Sequence, residues 1–234
     1  MSVFKFKQFD VRQTDTAMKI GTDAMVFGAL IKTAQHNQAL DIGTGTGVLS
    51  LMVAQRNPQL QVQALEIAPE ATLEARFNFT QSPFAARLTA TQADFTQHVF
   101  SQTFDLIFSN PPYFEKSSKS ENQQRNLARH DDGLPLETLF TRVAELLSPA
   151  GVFWLILPHE TMDAYLDFAA NLGLYLQKEI KIFGKPGNPV RKISAFSKIP
   201  SAPVYDALVV RTETGQYSEA YLALTHAYHF NKLQ

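Results

Sequence analysis

Asn110-Pro111-Pro112-Tyr113 is the stretch whose residue types are best suited to chemistry. It directly follows Phe104–Ser109, a short apolar and aromatic run, and so reads as a turn that stops a buried strand. Prolines lack a backbone N–H, and the residue before a proline is pushed into extended geometry. The carbonyls of this turn are therefore held in fixed directions without ladder partners, beside an Asn amide oxygen and an aromatic ring. Acceptors fixed in that way suit a planar group carrying an NH2. An ordinary strand-to-loop turn would use the same residues, so the surroundings must decide.

A second constellation is Asp41-Ile42-Gly43-Thr44-Gly45-Thr46-Gly47, with Glu66 lying 23 positions beyond Gly43. In dinucleotide-binding folds glycines allow close backbone approach and an acid about 20 residues on accepts from ribose hydroxyls. Here the spacing is G-x-G-x-G preceded by Asp41, not G-x-G-x-x-G. A positively charged sulfonium ligand has no pyrophosphate for the helix N-terminus and is favoured by nearby carboxylates. Asp41, expected at a strand end aimed into the cleft, suits the amino acid portion of S-adenosylmethionine better than NAD. Asp94 at the end of a third strand is placed to take an adenine amino group, with Phe95 against the ring. Lys19, Thr22 and Asp23 sit in a loop and helix start that the same ligand would touch, although N-capping alone accounts for Thr22 or Asp23.

These positions require a particular scaffold. Residues 3–9 alternate Phe and Lys on opposite sides, which predicts an N-terminal hairpin strand. A helix follows from about residue 22 to Thr33. Gln38–Ile42, Gln61–Ile67, Arg87–Gln92, Phe104–Ser109 and Val152–Leu157 read as strands, and Ala207–Arg211 as the last one. Helices are expected at Val48–Arg56, Pro69–Thr80, Leu136–Leu147 (ended by Pro149-Ala150-Gly151), Thr161–Leu172 and Ser218–Phe230. Strands alternating with helices predict an α/β, Rossmann-like sheet, mostly parallel, with helices on both faces and a small N-terminal hairpin. In such sheets ligands bind outside the carboxyl ends of the strands. Asp41, Glu66, Asp94 and Asn110 then share one edge and converge on one cleft.

The bulk numbers fit that picture. At 234 residues the chain is expected to be one domain over 1–234, with residues 1–35 forming the hairpin and first helix. Cysteine is absent, which excludes disulfides, thiolate metal sites and cysteine nucleophiles, and fits a cytoplasmic protein. No signal-peptide or membrane-spanning stretch is expected, nor a metal site, since His226 and His229 share an expected helix face without further ligands. The net charge of −1 hides an asymmetry: residues 178–198 carry +5, leaving −6 on the remainder. Within that basic segment Lys185, Arg191 and Lys192 are expected to meet phosphates, and Gly184–Pro189 to form an exposed loop between two strands. Lys116, Lys119, Arg125 and Arg129 follow the Asn-Pro-Pro-Tyr turn and bracket the cleft mouth.

The glycine motif together with Asn110-Pro111-Pro112-Tyr113 resembles the class I S-adenosylmethionine-dependent methyltransferases that act on exocyclic or amide nitrogens. More narrowly, the chain resembles the bacterial tRNA-Val (adenine-N6)-methyltransferases, which modify the adenosine beside the anticodon. Phe6-Lys-Gln-Phe9, Ala17-Met-Lys-Ile-Gly-Thr-Asp23, Arg125-Asn-Leu-Ala-Arg129 and Tyr217-Ser-Glu-Ala-Tyr-Leu-Ala-Leu-Thr225 carry the narrower likeness. The resemblance implies that Asn110 and the Pro111 carbonyl accept the two N–H bonds of the adenine amino group, with Pro112 fixing the turn and Tyr113 stacking on the base. It also implies S-adenosylmethionine as cofactor, tRNA as partner and a monomer. Asn-Pro-Pro-Tyr occurs as well in release-factor glutamine methyltransferases, so a protein amide, or a base in ribosomal RNA, remains the alternative target. Cytosine C5 chemistry is excluded by the missing cysteine, and the chain is too short for the recognition domain of a DNA adenine methyltransferase.

Overall fold

A computed structural model describes residues 2–13, 19–111 and 134–230. A hairpin of β1 (Ser2–Lys5) and β2 (Asp10–Gln13) precedes α1 (Thr22–Leu30). Strands β3 (Gln38–Ile42), β4 (Gln61–Glu66), β5 (Leu88–Gln92) and β6 (Phe104–Ser109) follow, with α2 (Val48–Arg56) and α3 (Pro69–Gln81) between the first three. The remainder is α4 (Leu136–Leu146), β7 (Leu147–Pro158), α5 (His159–Ala164), α6 (Leu166–Asn171), β8 (Tyr175–Phe183), β9 (Arg191–Ser197), β10 (Val204–Val209) and α7 (Glu219–Thr225). The large sheet has the order β10-β8-β9-β7-β6-β3-β4-β5, and only β9 runs against the others. The expected mostly parallel α/β sheet with an N-terminal hairpin is therefore the observed one.

Why these strands sit in the middle of the molecule follows from their two-residue period. Successive side chains point to opposite faces. Leu106 and Phe108 of β6 join the core beneath α1, α2 and α3, while Ile107 between them joins the core beneath α4. On β7, Trp154 and Ile156 face the first core and Phe153 and Leu155 the second. Strands buried on both faces need such continuous apolar runs. The chain steps outward from β3 to β4 and β5, then returns to β6 on the other side of β3. That reversal opens a crevice at the carboxyl ends of β3 and β6, where Asp41 and Asn110 were expected to meet.

Several boundaries depart from the sequence reading. Gly21, not Thr22 or Asp23, occupies the N-cap of α1, and no side chain caps it. Pro149 and Gly151 do not separate a helix from a strand but lie inside β7, whose pairing with β6 slips between Phe104 and Leu106 to accommodate them. The expected helix over Thr161–Leu172 is two short ones meeting at Tyr165. Helix α7 ends at Thr225, so His226 and His229 lie beyond it and share no helix face. Phe6 instead pairs with His229 in an isolated antiparallel bridge, and the Lys7 backbone N–H donates to the Tyr228 carbonyl at 2.9 Å. Among the described residues no helix is long and apolar enough to cross a membrane.

Candidate active site

A cavity of about 1110 Å³ opens at the carboxyl ends of β3, β4, β5 and β6. The glycine turn Gly43–Thr46 forms one wall, and Glu66, Ile67 and Ala68 the next. Ala93–Thr96 and Ser109–Pro111 continue the rim, Lys19–Ala24 closes the front, and Arg191 reaches in from β9. The structure thus gathers Lys19, Thr22, Asp23, Gly43, Gly45, Glu66, Asp94, Phe95, Asn110 and Pro111 around one space. Gly47 stands behind it, starting α2 at φ +83°, where an added Cβ would lie 2.4 Å from Phe79 Cε1. Only glycine satisfies both demands. At Gly43, also at positive φ, an added Cβ would meet nothing within 4 Å, so this backbone faces open cavity.

Glu66 is held at both oxygens. Oε2 accepts the Gly45 N–H at 2.9 Å and Oε1 the Ala68 N–H at 3.0 Å. The carboxylate thereby ties the glycine turn to the start of α3, and its remaining lone pairs can accept from vicinal hydroxyls. Asp94 Oδ1 accepts from both the backbone N–H and the hydroxyl of Thr96, each at 2.8 Å. It stabilises its own turn while lining the cavity, so the capping and ligand readings of Asp94 are compatible. Phe95 is buried beneath the Arg142 guanidinium, 5.3 Å from the ring centre, and presents an apolar wall beside Ala93.

Asp41 departs from expectation. Its side chain does not line the cavity but lies fully buried beneath the glycine turn. Oδ2 accepts from Thr44 Oγ1 at 2.7 Å and Ser50 Oγ at 2.6 Å, while Oδ1 has no hydrogen-bond partner. Burial pushes its carboxyl up to about 6; the two hydroxyls pull it down, and the Glu66 charge adds to the rise. A carboxylate in this position acts on a cation in the cavity through its field and through Thr44, not by direct reach.

The opposite side of the cavity is built from the ends of β6 and β9. Ser109 Oγ donates to the Ile42 carbonyl at 2.8 Å and locks the end of β6 to the end of β3, which fixes Asn110 and Pro111 over the crevice. Pro112, Tyr113, Lys116, Lys119, Arg125 and Arg129 lie outside the described residues. Arg191 Nε donates to Asp23 Oδ2 at 2.9 Å, closing an ion pair across the cavity mouth. Lys192 is only 4% exposed and pairs with Asp163 and Glu179. Burial alone would lower its pKa, but those carboxylates hold it above the ordinary value. It is therefore a structural cation, which corrects the expectation that it meets phosphate. Lys178 pairs with Asp206 at 2.6 Å and Lys198 donates to the Leu147 carbonyl at 2.6 Å, while Lys185 and Lys181 stay exposed.

Sequence reasoning missed Ser109 and Asn78. The first had a local signal, a hydroxyl directly before the catalytic candidate at a strand end. The second had none: Asn78 Nδ2 donates to the Thr46 and Arg12 carbonyls, and its Oδ1 accepts the Arg12 N–H at 2.9 Å, clamping the hairpin to the glycine turn.

Residues 16–165 match the model of the methyltransferase small domain family. A protein of Porphyromonas gingivalis named tRNA1(Val) (adenine(37)-N6)-methyltransferase is 40% identical, over 97% of this chain and 94% of its own. One of the same name from Pseudoalteromonas translucida is 37% identical, over 98% and 99%. The chain belongs to the tRNA1(Val) (adenine(37)-N6)-methyltransferase family. Solved structures agree on the fold: a predicted O-methyltransferase of Agrobacterium tumefaciens superposes with a TM-score of 0.67 at 18% identity, covering 87% of this chain and 95% of its own. A methyltransferase from Pyrococcus furiosus gives 0.59 at 23% identity, covering 81% and 89%.

Proposed function

We propose that this chain methylates N6 of an adenosine in tRNA, the one beside the anticodon of tRNA-Val, using S-adenosylmethionine. The observation that carries this reading is the meeting of Asn110 and Pro111 with the glycine turn, Glu66 and Asp94 around one cavity. The residues present fit the donor. Glu66, tethered at both oxygens, is placed for ribose hydroxyls, Asp94 for the adenine amino group, and Ile67, Ala68, Ala93 and Phe95 for the faces of its ring. The open backbone at Gly43 and Gly45 leaves room for the amino acid portion, with Lys19 near its carboxylate and buried Asp41 supplying negative potential. When bound, S-adenosylmethionine supplies a methyl group on positively charged sulfur.

The chain's own work is on the nucleophile. An adenine amino nitrogen attacks poorly because its lone pair is delocalised into the ring. Asn110 Oδ1 and the Pro111 carbonyl, accepting its two N–H bonds, draw the lone pair out of that conjugation. They also stabilise the positive charge that grows on nitrogen in the transition state. Their value lies in being fixed beforehand by Ser109 and by the ring of Pro111. The base must leave the anticodon-loop stack to reach them, and Tyr113 is the ring we assign to stack on it. We also infer that the chain acts as one domain over 1–234, as a monomer in the cytoplasm and without a metal; its large sheet is continuous.

Transfer of labelled methyl from S-adenosylmethionine to bulk tRNA, with mapping of the modified atom, tests this reading. Label is expected at N6 of adenosine; label in a release-factor glutamine would overturn it. Asn110→Ala should lower kcat by about 10²–10³-fold while the Kd for S-adenosylmethionine stays within about twofold, because the side chain acts on the target and not on the donor.

A further inference from the structure

A second cavity, of about 430 Å³, opens on the same edge of the sheet, between the start of α5 and the β8–β9 turn. Pro158, His159, Thr161, Asn188, Pro189 and Val190 line it. Strand register places it beside the candidate active site. Ser109, next to Asn110, pairs with Leu155 of β7, and β7 runs on to Pro158, which pairs with Arg191. Arg191 lines the first cavity and Val190 the second. The two residues are consecutive at the start of β9 and their side chains point to opposite faces of the sheet, Arg191 towards α1, so the cavities flank one strand at the same edge.

Chain neighbours of the residues lining the second cavity hold a buried ion-pair cluster. Lys192, one residue into β9, is buried between Asp163 of α5 and Glu179 of β8, and His159 Nδ1 lies 3.8 Å from Asp163 Oδ2. Its chemistry favours a base over a phosphate. The His159 ring and Pro189 offer flat faces, Val190 is 46% exposed although apolar, and Thr161 and Asn188 offer hydrogen bonds. The remaining wall residue is Glu160, whose carboxylate repels an anion but accepts from a base amino group. Exposed Lys185 in the same turn supplies positive charge outside the cavity rather than within it.

We propose that this cavity is a second nucleobase subsite, which takes the base of the nucleotide next to the target adenosine. The inference rests on the tRNA reading. An RNA whose adenosine enters the first cavity, and whose next nucleotide passes over the sheet edge at β9, brings that base to the second cavity. The subsite separates base flipping from sequence choice: Asn110 acts on whichever amino group enters, while His159, Asn188 and Glu160 select what stands beside it.

The test is a cycle of substrate and enzyme changes. Anticodon stem-loop RNA is used intact and with an abasic site at the nucleotide on either side of the target. Each is methylated by the wild-type enzyme, by the double variant His159→Ala with Asn188→Ala, and by His159→Phe. On intact RNA the double variant is expected to lose about tenfold in kcat/KM, carried by KM, with Tm and S-adenosylmethionine affinity unchanged. His159→Phe keeps a stacking face and should retain most activity. One abasic position should cost the wild type a similar factor and cost the double variant nothing further. Unchanged kcat/KM in the double variant, or abasic losses that multiply with its own, would overturn the subsite. If the wild type methylates no intact RNA, the tRNA reading itself fails and this inference with it; methylation without the coupling removes the subsite alone.

Discussion

Glu66 finds its partners at Gly45 and Ala68, 21 and 2 residues away, whereas Arg191 on the opposite side of the cavity finds Asp23 across 168 residues. The wall we assign to the donor is local: each acid sits at or just beyond the end of a parallel strand and is held by backbone N–H or hydroxyl groups of the turns there. The wall we assign to the target is assembled from distant pieces, with β9 contributing a guanidinium to the cavity and burying an ammonium one position later. Both walls carry charge, and on both much of it is held by the fold, as Asp41 is by Thr44 and Ser50. On the second, Lys192, Lys178 and Lys198 are committed to carboxylates or carbonyls of the fold. The difference teaches that a run of basic residues reports net charge, not where the charge is used.

The sharpest break of that comparison is Lys192→Met. Removing the ammonium leaves Glu179, 3% exposed, as an uncompensated buried carboxylate, and should cost about 3–5 kcal/mol of stability in urea unfolding. Adding Glu179→Leu should recover most of it, while the salt dependence of tRNA binding stays unchanged. A stable Lys192→Met variant with weakened tRNA affinity would instead put Lys192 at the interface. On the donor wall, Asp41 offers the next largest effect. Its carboxyl is raised in the fold from 3.8 to about 6, so folding favours the protonated form. That contribution is complete below about pH 3.8 and is lost as pH rises through about 6, amounting to about 2–3 kcal/mol. The difference in unfolding free energy between the wild type and Asp41→Asn should therefore widen, in favour of the variant, between pH 4 and pH 7. A difference independent of pH would mean that Asp41 is not the titrating group. Lys185→Ala carries the smallest effect: stability within about 0.5 kcal/mol and a salt slope for tRNA binding shallower by about 1. An unchanged slope would leave the exposed turn without a phosphate contact.

The same comparison accounts for what was legible in the sequence. Gly43, Gly45, Glu66, Asp94 and Asn110 were readable because spacing along strand–turn–helix units determines where their backbone goes. The mostly parallel sheet followed from the same alternation of apolar runs and helices, whereas its strand order came only with the structure. Asp41 was read correctly as a strand-end acid but not as one buried under its own turn, since its hydroxyl partners Thr44 and Ser50 carry no sequence signal of where they point. Lys192 was misread because nothing near it in the chain indicates Asp163 and Glu179. Pro149 and Gly151 were taken as stops because a bulge that absorbs them depends on the partner strand.

The stitch between Phe6–Lys7 and Tyr228–His229 has a consequence for chain connectivity. It brings the two extremities of the described chain side by side on the core that carries α1 and α2. The order in which the strands are synthesised is then not a requirement of the architecture. A circular permutant with a linker from beyond Phe230 back to Ser2, opened near Val99, 87% exposed between β5 and β6, would keep the described strand pairs, both cavities and the clamp of Asn78. It would emerge from the ribosome beginning with the Asn110 turn instead of ending long after it.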